Sequence, residues 1–359
     1  MARPIRADID LAALRHNLQW IRQRHPGHEL VAVVKANGYG HGLVPTAQAL
    51  AQADLLGVAA IDEAMLLRQA GLSQPILLME GCFDASELDL AEQQGFELVI
   101  HSHWQLELLE AMPPRQPLRL WIKIDSGMHR LCFAPGQVAG IQPRLRRLAG
   151  LRELVWMSHL ACADEPEHPA NARQLACFAR AIAGLPGRCS VRASASILGD
   201  AALPMADHFL RPGLMLYGAS PCADRSALAL GLRPAMTFRS RLIALRELAV
   251  GEPVGYGGRF VTRRPSRIGV VAAGYGDGYP RHASQGTPLL IRGQRVPLVG
   301  RVSMDMVTVD LTDLPAAAIG DEVILWGEGL PVDEVAAAAG TIAYQLLCNV
   351  TGRVPYRYR

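Results

Sequence analysis

Leu30-Val31-Ala32-Val33-Val34-Lys35-Ala36-Asn37-Gly38-Tyr39-Gly40-His41-Gly42 is the stretch on which the reading of this chain turns. An apolar run ends in a lysine, and a glycine-rich segment follows. The run reads as a strand, so Lys35 is a cation at the rim of a core. Lysine is seldom buried without a partner. Desolvation lowers a lysine's pKa in general, and a neutral amine is a nucleophile, which suits Schiff-base chemistry. A second reading stays open from this stretch alone: a strand that ends in a solvated lysine and turns on glycines.

Working outward, short runs rich in Val, Ile and Leu alternate with helical patterns up to about residue 217, the signature of a parallel sheet with crossover helices. The strands are expected near 30–34, 56–60, 76–79, 97–100, 118–124, 153–158, 188–193 and 209–216. Helices are expected near 11–24, 45–53, 61–70, 84–94, 102–111, 135–148 and 169–184, with Asp10 and Asp84 preceding two of them and Pro45 opening another. Eight strands predict a closed (β/α)8 TIM-like barrel. After about residue 230 the strands come closer together, as in Thr287–Ile291 and Val296–Gly300 around Arg292-Gly293-Gln294-Arg295, and a helical stretch follows near 333–348. The expected division is therefore a barrel over 1–231 and a mainly β domain over 232–359.

Composition narrows the chemistry. The 359 residues are 50% hydrophobic and 19% charged, as in a well-packed globular protein. A net charge of +3 with scattered arginines implies no nucleic-acid partner. No apolar stretch approaches the ~18 residues needed to span a bilayer. The start, Met1-Ala2-Arg3-Pro4-Ile5-Arg6, lacks the apolar core of a signal peptide, so the expected compartment is the cytoplasm. Seven cysteines (82, 132, 162, 177, 189, 222 and 348) without a Cys-x-x-Cys pair argue against a disulfide framework and a zinc site. The eleven histidines form no His-Glu-x-x-His pattern, and no metal is expected.

Active residues of such barrels sit on the loops after the strands. Lys35 ends the first strand, Lys123 and Asp125 the fifth ahead of Arg130, and His159 the sixth; Ser196 follows the seventh, and Arg211-Pro212-Gly213 lies in the eighth. Phosphate sites in these barrels use the loops after strands seven and eight, where Ser196, Gly213 and Leu214 fall. A strand-end lysine beside a phosphate site points to pyridoxal phosphate.

The string Val33 to Gly42 resembles the pyridoxal phosphate signature of bacterial alanine racemases. Five more strings resemble that family in order: Lys123 to Arg130, Arg211-Pro212-Gly213 with Tyr217-Gly218, Val254 to Gly258, Gly274 to Arg281, and Gly300 to Met306. The resemblance covers both domains and implies an isomerase that interconverts L- and D-alanine, supplying D-alanine for peptidoglycan or L-alanine for catabolism. It implies that Lys35 holds the cofactor and serves as base on one face of the substrate α-carbon, with Tyr256 as base on the other. A free tyrosine titrates near ~10, so Tyr256 needs neighbouring cations, for which His159 and Arg211 are the candidates. Arg211 is also implied to contact the pyridine nitrogen and leave it largely unprotonated, which disfavours transamination.

Tyr39, Ser196 and the backbone at Gly213 and Leu214 are implied to bind phosphate, with His159 against the ring. Arg130 and the amide of Met304 are implied to receive the substrate carboxylate, with Lys123, Asp305 and Tyr275 in supporting places. Lys123 matches a position often carbamylated in the family, where the new carboxylate braces Arg130. Because Tyr256 and Met304 lie outside the barrel, the resemblance implies a head-to-tail homodimer with shared active sites.

Three departures from the family stand out: Gly38 where alanine is common, Cys132 where glycine is common, and Gly352 where many members carry a tyrosine at the phosphate. The last implies a wider pocket. Two further readings are a broader racemase accepting serine, lysine or arginine, and a cofactor-binding barrel without catalysis. Tyr256 and Met304-Asp305 count against the second.

Overall fold

The structure is a computed structural model, and it describes residues 3–199, 203, 205–222 and 224–359. Met1 and Ala2, part of the stretch read for a signal peptide, lie outside the described residues.

Strand β1 (Arg6–Ile9) is followed by the eight barrel strands: β2 (Glu29–Val33), β3 (Leu55–Val58), β4 (Ile76–Leu78), β5 (Glu97–Ile100), β6 (Leu118–Lys123), β7 (Leu151–Met157), β8 (Arg188–Ser190) and β9 (Phe209–Leu210). They are parallel, in the order β8-β7-β6-β5-β4-β3-β2-β9. A parallel bridge between Ala193 and Arg211 joins the two ends of that order. All eight expected strands are present. The seventh and eighth are shorter than expected, because the chain beyond Ser190 and Leu210 turns into the site.

The middles of the barrel strands are apolar because both faces are covered, by helices outside and by one another inside, and charged residues fall at their ends. Val31, Leu55, Leu77, Val99, Trp121, Val155, Met157 and Phe209 form the inner cluster. Their neighbours Leu30, Leu56, Ile76, Leu98, Leu120, Trp156 and Leu210 belong to the outer core. Below the inner cluster, at the strands' N-terminal end, Arg119 bonds Glu97 (2.8 Å) and Glu153 (2.6 Å), and Arg188 bonds Glu29 (2.6 Å). This ionic floor closes the barrel, so a ligand has one open end to enter.

The second domain contains β10 (Met236–Leu248), β11 (Pro253–Val254), β12 (Phe260–Val261), β13 (Ser266–Val271), β14 (Pro288–Ile291), β15 (Gln294–Pro297), β16 (Val307–Asp310), β17 (Glu322–Trp326) and β18 (Tyr356–Tyr358). β14 and β15 form the expected hairpin, turning on Arg292 and Gly293 at φ 50° and 78°. The expected helical stretch is two helices, Val332–Ala339 and Ala343–Cys348.

The chain's first strand lies in this second sheet: β1 pairs antiparallel with β10 and parallel with β18. The helix Leu11–Arg24 then carries the chain to the barrel, capped by Asp10, whose side chain accepts from Ala12 N and Ala13 N. None of the helices in the described residues is long and apolar enough to cross a membrane.

Candidate active site

Side chains alternate across a strand, so two-residue steps from the inner cluster lead to what lines the barrel above it. Val31 and Val33 lead to Lys35, Trp121 to Lys123, Met157 to His159, and Phe209 to Arg211. Four nitrogen-bearing side chains thus crown the apolar cluster at the C-terminal ends of the strands.

Arg211 is 2% exposed, and its guanidinium is locked. It donates to Ser190 Oγ, to the carbonyls of Ser158 (2.7 Å) and Val191 (3.3 Å), and approaches His159 Nδ1 (3.5 Å). Burial lowers its pKa to about 10, opposed by Asp207, so it stays charged at neutral pH. His159 is held down to about 3, by burial first and then by Arg211, Lys123, Arg130 and Lys35. This corrects one expectation: His159 is a neutral imidazole, and Arg211 is the cation of that pair.

Lys123 is 7% exposed, and its amine has no hydrogen-bond or ion-pair partner among the described residues. Burial lowers its pKa to about 8; the charges of Arg211, Arg130 and Lys35 push the same way, and Cys132 opposes them. A small recess beside it is lined by Met128, Arg130, Cys132, Ser158 and His159. Burial pushes the Cys132 thiol up to about 11, so it is protonated. Asp125 shapes the wall: its Oδ1 accepts from Gly127 N, Met128 N and His129 N at 2.9–3.0 Å. That loop presents Arg130 to solvent at the mouth. A wider recess near Leu88, Glu92 and Arg115 lies at the opposite end of the barrel, among none of these groups.

Lys35 opens a turn that the sequence pattern did not reveal. Ala36, Asn37, Gly38 and Tyr39 are all left-handed, with φ of 50–60° and ψ of 42–54°. Outside glycine this conformation costs roughly 1–2 kcal/mol per residue, so surrounding bonds must hold it. Glu63 Oε1 accepts from Ala36 N (2.7 Å) and Asn37 N (3.4 Å), while Asn37 Oδ1 accepts from Leu43 N (2.9 Å). The helix Ala343–Cys348 packs on the turn: a Cβ on Gly40 would lie 2.0 Å from the Leu347 carbonyl oxygen, so only glycine fits.

The turn delivers Tyr39 to the loops after β8 and β9. Its ring stacks on Tyr217 (4.7 Å between centroids), whose hydroxyl donates to Val33 O (3.0 Å). Burial pushes the Tyr39 phenol above its ordinary value, so it remains a donor. A Cβ on Gly213 would come 2.5 Å from the Tyr39 hydroxyl; the bare glycine admits that oxygen.

The two serines of this corner divide their work in a way the sequence did not reveal. Ser196 Oγ accepts from Ala193 N (2.9 Å) and donates to Ala193 O (3.1 Å), whereas Ser194 Oγ accepts from Gly213 N (2.8 Å) and Met215 N (3.4 Å). Ser194 was missed because both hydroxyls sit in one short Ala-Ser-Ala-Ser string, and spacing does not choose between them.

The remaining expected residues stand on the second domain. Tyr256 is 70% exposed and Met304 52%; Tyr275 is partly exposed, and Gly352 faces open space. Asp305 is paired with Arg353 (2.5 Å), and Arg3 and Arg353 reach Asp277 (2.6 and 3.6 Å). Asp277 in turn accepts from Gly274 N (2.9 Å), and Gly276 N donates to Met304 O (2.9 Å). This network ties together two loops, one after β13 that carries Tyr275 and one between β15 and β16 that carries Met304 and Asp305. The structure therefore groups Lys35, Tyr39, Lys123, Arg130, His159, Ser196, Arg211 and Gly213 with Leu214 at the barrel mouth, and Tyr256, Tyr275, Met304 and Asp305 on the outer domain.

Comparison with known proteins covers both parts. Residues 9–221 match the family described as alanine racemase, N-terminal domain, and residues 235–358 the C-terminal domain. The chain is 51% identical to an alanine racemase of Chromohalobacter salexigens over 100% of its own length and 99% of the relative's. It is 51% identical to a catabolic alanine racemase of Pseudomonas aeruginosa, with 99% of each chain covered. Among solved structures, the biosynthetic alanine racemase from Pseudomonas aeruginosa superposes with a TM-score of 0.96 at 50% identity, covering 99% of each chain. The enzyme from Bartonella henselae, described with covalently bound pyridoxal phosphate, superposes at 0.89 with 30% identity and 99% of each chain covered.

Proposed function

This chain belongs to the alanine racemase family, and from that premise we propose that it interconverts L- and D-alanine with pyridoxal 5′-phosphate, Lys35 and Tyr256 acting as the two bases. The observation that carries the reading is the crown of the barrel. Lys35, Lys123, Arg130 and Arg211 bring amines and guanidiniums together above an apolar plug, an arrangement that calls for an anionic ligand. Relatives are named as both biosynthetic and catabolic alanine racemases, so alanine is favoured over a broader substrate range.

The residues present fit the cofactor. Lys35 offers an amine for its aldehyde, and bare Gly213 lets the Tyr39 hydroxyl reach the loop after β9, where a Cβ would lie 2.5 Å from it. The Leu214 N–H at the start of that turn and the Ser196 hydroxyl, once released from the Ala193 carbonyl, are the donors this reading gives to the phosphate. His159, neutral, is suited to lie against the ring. Bound there, the cofactor supplies an electron sink for the pair left on the substrate α-carbon when its proton departs.

The chain's own groups do the rest. Arg211 keeps its proton and donates toward the ring nitrogen. Lys35 Nζ takes or returns the α-proton on the face presented by D-alanine, and Tyr256 Oη does so on the face presented by L-alanine. Arg130 and the Met304 amide hold the substrate carboxylate, fixing which bond points at each base. Asp305 supports Met304 from the same loop, and Tyr275 from the neighbouring one, where its N–H donates to Ser303 O. In Lys123 the neutral fraction of an amine with a pKa near 8 attacks carbon dioxide, releases a proton and becomes a carbamate that pairs with Arg130. Without that anion, Lys123 and Arg130 repel each other.

Tyr256 and Met304 are exposed on a rigid outer face, which supports a head-to-tail homodimer in which each reaches its partner's barrel. Seven unpaired thiols support a reducing, cytoplasmic setting, where D-alanine serves peptidoglycan or L-alanine serves catabolism. Incubation with single L-amino acids in deuterium oxide, following chirality and α-deuterium, tests the reaction. Alanine should racemise and gain deuterium, with serine, lysine and arginine far slower. Alanine that keeps its chirality would sink the proposal.

A further inference from the structure

We propose that Glu63 is a positioning residue for the Lys35 base, resting on the reading of Lys35 given above. Its carboxylate fills a hollow of peptide N–H groups that the left-handed turn creates, and so sets the direction in which the Lys35 amine points.

Successive left-handed residues turn their N–H groups toward one side, forming a concavity that binds anions. Here the concavity begins at the residue after Lys35. Ala36 N and Asn37 N both donate to Glu63 Oε1, and the next N–H, that of Gly38, is already taken by Val34 O (2.8 Å). Glu63 therefore supplies the acceptor for the two N–H groups on which the start of the turn depends.

Its second oxygen ties the turn to the neighbouring barrel loop. Oε2 accepts from Ala59 N (2.9 Å), one residue beyond β3, and Val34 N donates to Gly57 O (2.8 Å) within β3. The loops after β2 and β3 are thereby clamped through one carboxylate. Glu63 itself sits in the first turn of the helix Ile61–Gln69, where a negative charge also suits the helix dipole. Three N–H donors converge on it, and a carboxylate presents only acceptors. An amide in its place turns an NH2 group toward one of those donors.

The functional consequence is directional. Releasing Ala36 N and Asn37 N lets the start of the turn relax toward ordinary backbone, which moves Lys35, while Tyr39 stays held by its stacking on Tyr217. Tyr256 lies on a different domain and is untouched. Loss of Glu63 should therefore slow proton transfer on the Lys35 face and leave the opposite face alone, a signature that general destabilisation does not produce.

The test compares Glu63→Gln and Glu63→Asp with Asp62→Asn, which removes a charge from the adjacent exposed position. Three quantities are read on the holoenzyme: kcat/KM, the primary deuterium isotope effect with each α-deuterated alanine isomer, and the rate at which borohydride traps cofactor on Lys35, mapped by peptide mass. Glu63→Gln should lower kcat/KM about 10- to 100-fold, the range for losing hydrogen bonds to a charged group. The isotope effect should rise with D-alanine and not with L-alanine, and trapping on Lys35 should slow. Glu63→Asp keeps the charge and should show the same pattern more weakly, which carries the test if the glutamine variant does not fold. Asp62→Asn should match the parent.

Parent-like isotope effects and trapping in both Glu63 variants, or equal changes with both isomers, overturn the inference. Trapping of the parent enzyme at a lysine other than Lys35 would instead overturn the functional reading beneath it.

Discussion

Gly213→Ala places a methyl group where the structure leaves no room for one. An ideal Cβ there lies 2.5 Å from the Tyr39 hydroxyl oxygen and 3.2 Å from its Cζ. The backbone adds to the cost, since Gly213 sits at φ −122° and ψ −97°, outside the β and right-handed helical regions open to residues with a Cβ. The phenol cannot swing away freely, because its ring is stacked on Tyr217 at 4.7 Å and faces Tyr344 at 5.9 Å. Overpacking a filled site costs about 1–3 kcal/mol, and the trapped ring places this case near 2 kcal/mol. Tyr39→Phe removes the clashing oxygen and leaves only the milder Cζ contact, so the pair should show a favourable coupling of about 1 kcal/mol or more.

Urea unfolding of the cofactor-free chain at one fixed protein concentration measures this, with the four members of the cycle compared at equal slope. Stability should recover in part in the double variant, the backbone cost remaining, while cofactor affinity should not, because the Tyr39 hydroxyl is assigned to the phosphate. Additive effects in the cycle, or a Gly213→Ala protein as stable as the parent, would refute the close contact between Gly213 and the Tyr39 hydroxyl.

Three other outcomes are expected. Tyr256→Phe should slow α-deuterium exchange from L-alanine by about 10²–10⁴-fold, the range for removing a general base, while exchange from D-alanine persists; equal loss from both isomers in a folded protein would contradict the assignment. Lys123 has a folded-state pKa near 8 against an ordinary 10.5, so the folded chain releases this proton first. In buffer free of carbon dioxide, stability should therefore rise with pH between those values, by up to ~1.4 kcal/mol per unit relative to Lys123→Met, and a pH-independent difference would count against the buried, unpaired amine. With 13C-labelled bicarbonate, a carbamate resonance should appear in the parent and vanish in Lys123→Met; its absence from the parent would remove the brace proposed for Arg130.

Much of the barrel was legible because strands covered on both faces carry an apolar run through their middle, and Leu30–Val34 is such a run. The two-residue alternation that makes Trp121 and Phe209 inward also points Lys123 and Arg211 inward. Other features depend on contacts between distant parts of the chain. Arg6–Ile9 finds its partners more than 200 residues away at Met236–Arg239, which no local pattern announces. Gly40 is required by the Leu347 carbonyl, and Glu63 acts on a turn 27 residues before it. The charge of His159 was misjudged because a sequence gives its neighbours as motifs and not as a ring of cations around a buried imidazole.

The central claim is that Lys35 of one chain and Tyr256 of another face each other across one substrate. Co-expression of Lys35→Ala and Tyr256→Phe chains carrying different tags tests it directly. Either variant alone should be nearly inactive, whereas the purified heterodimer carries one intact pair and should recover about half the parent's racemase activity, given two equivalent sites related by the dimer axis. A heterodimer no more active than its inactive parents would contradict the account.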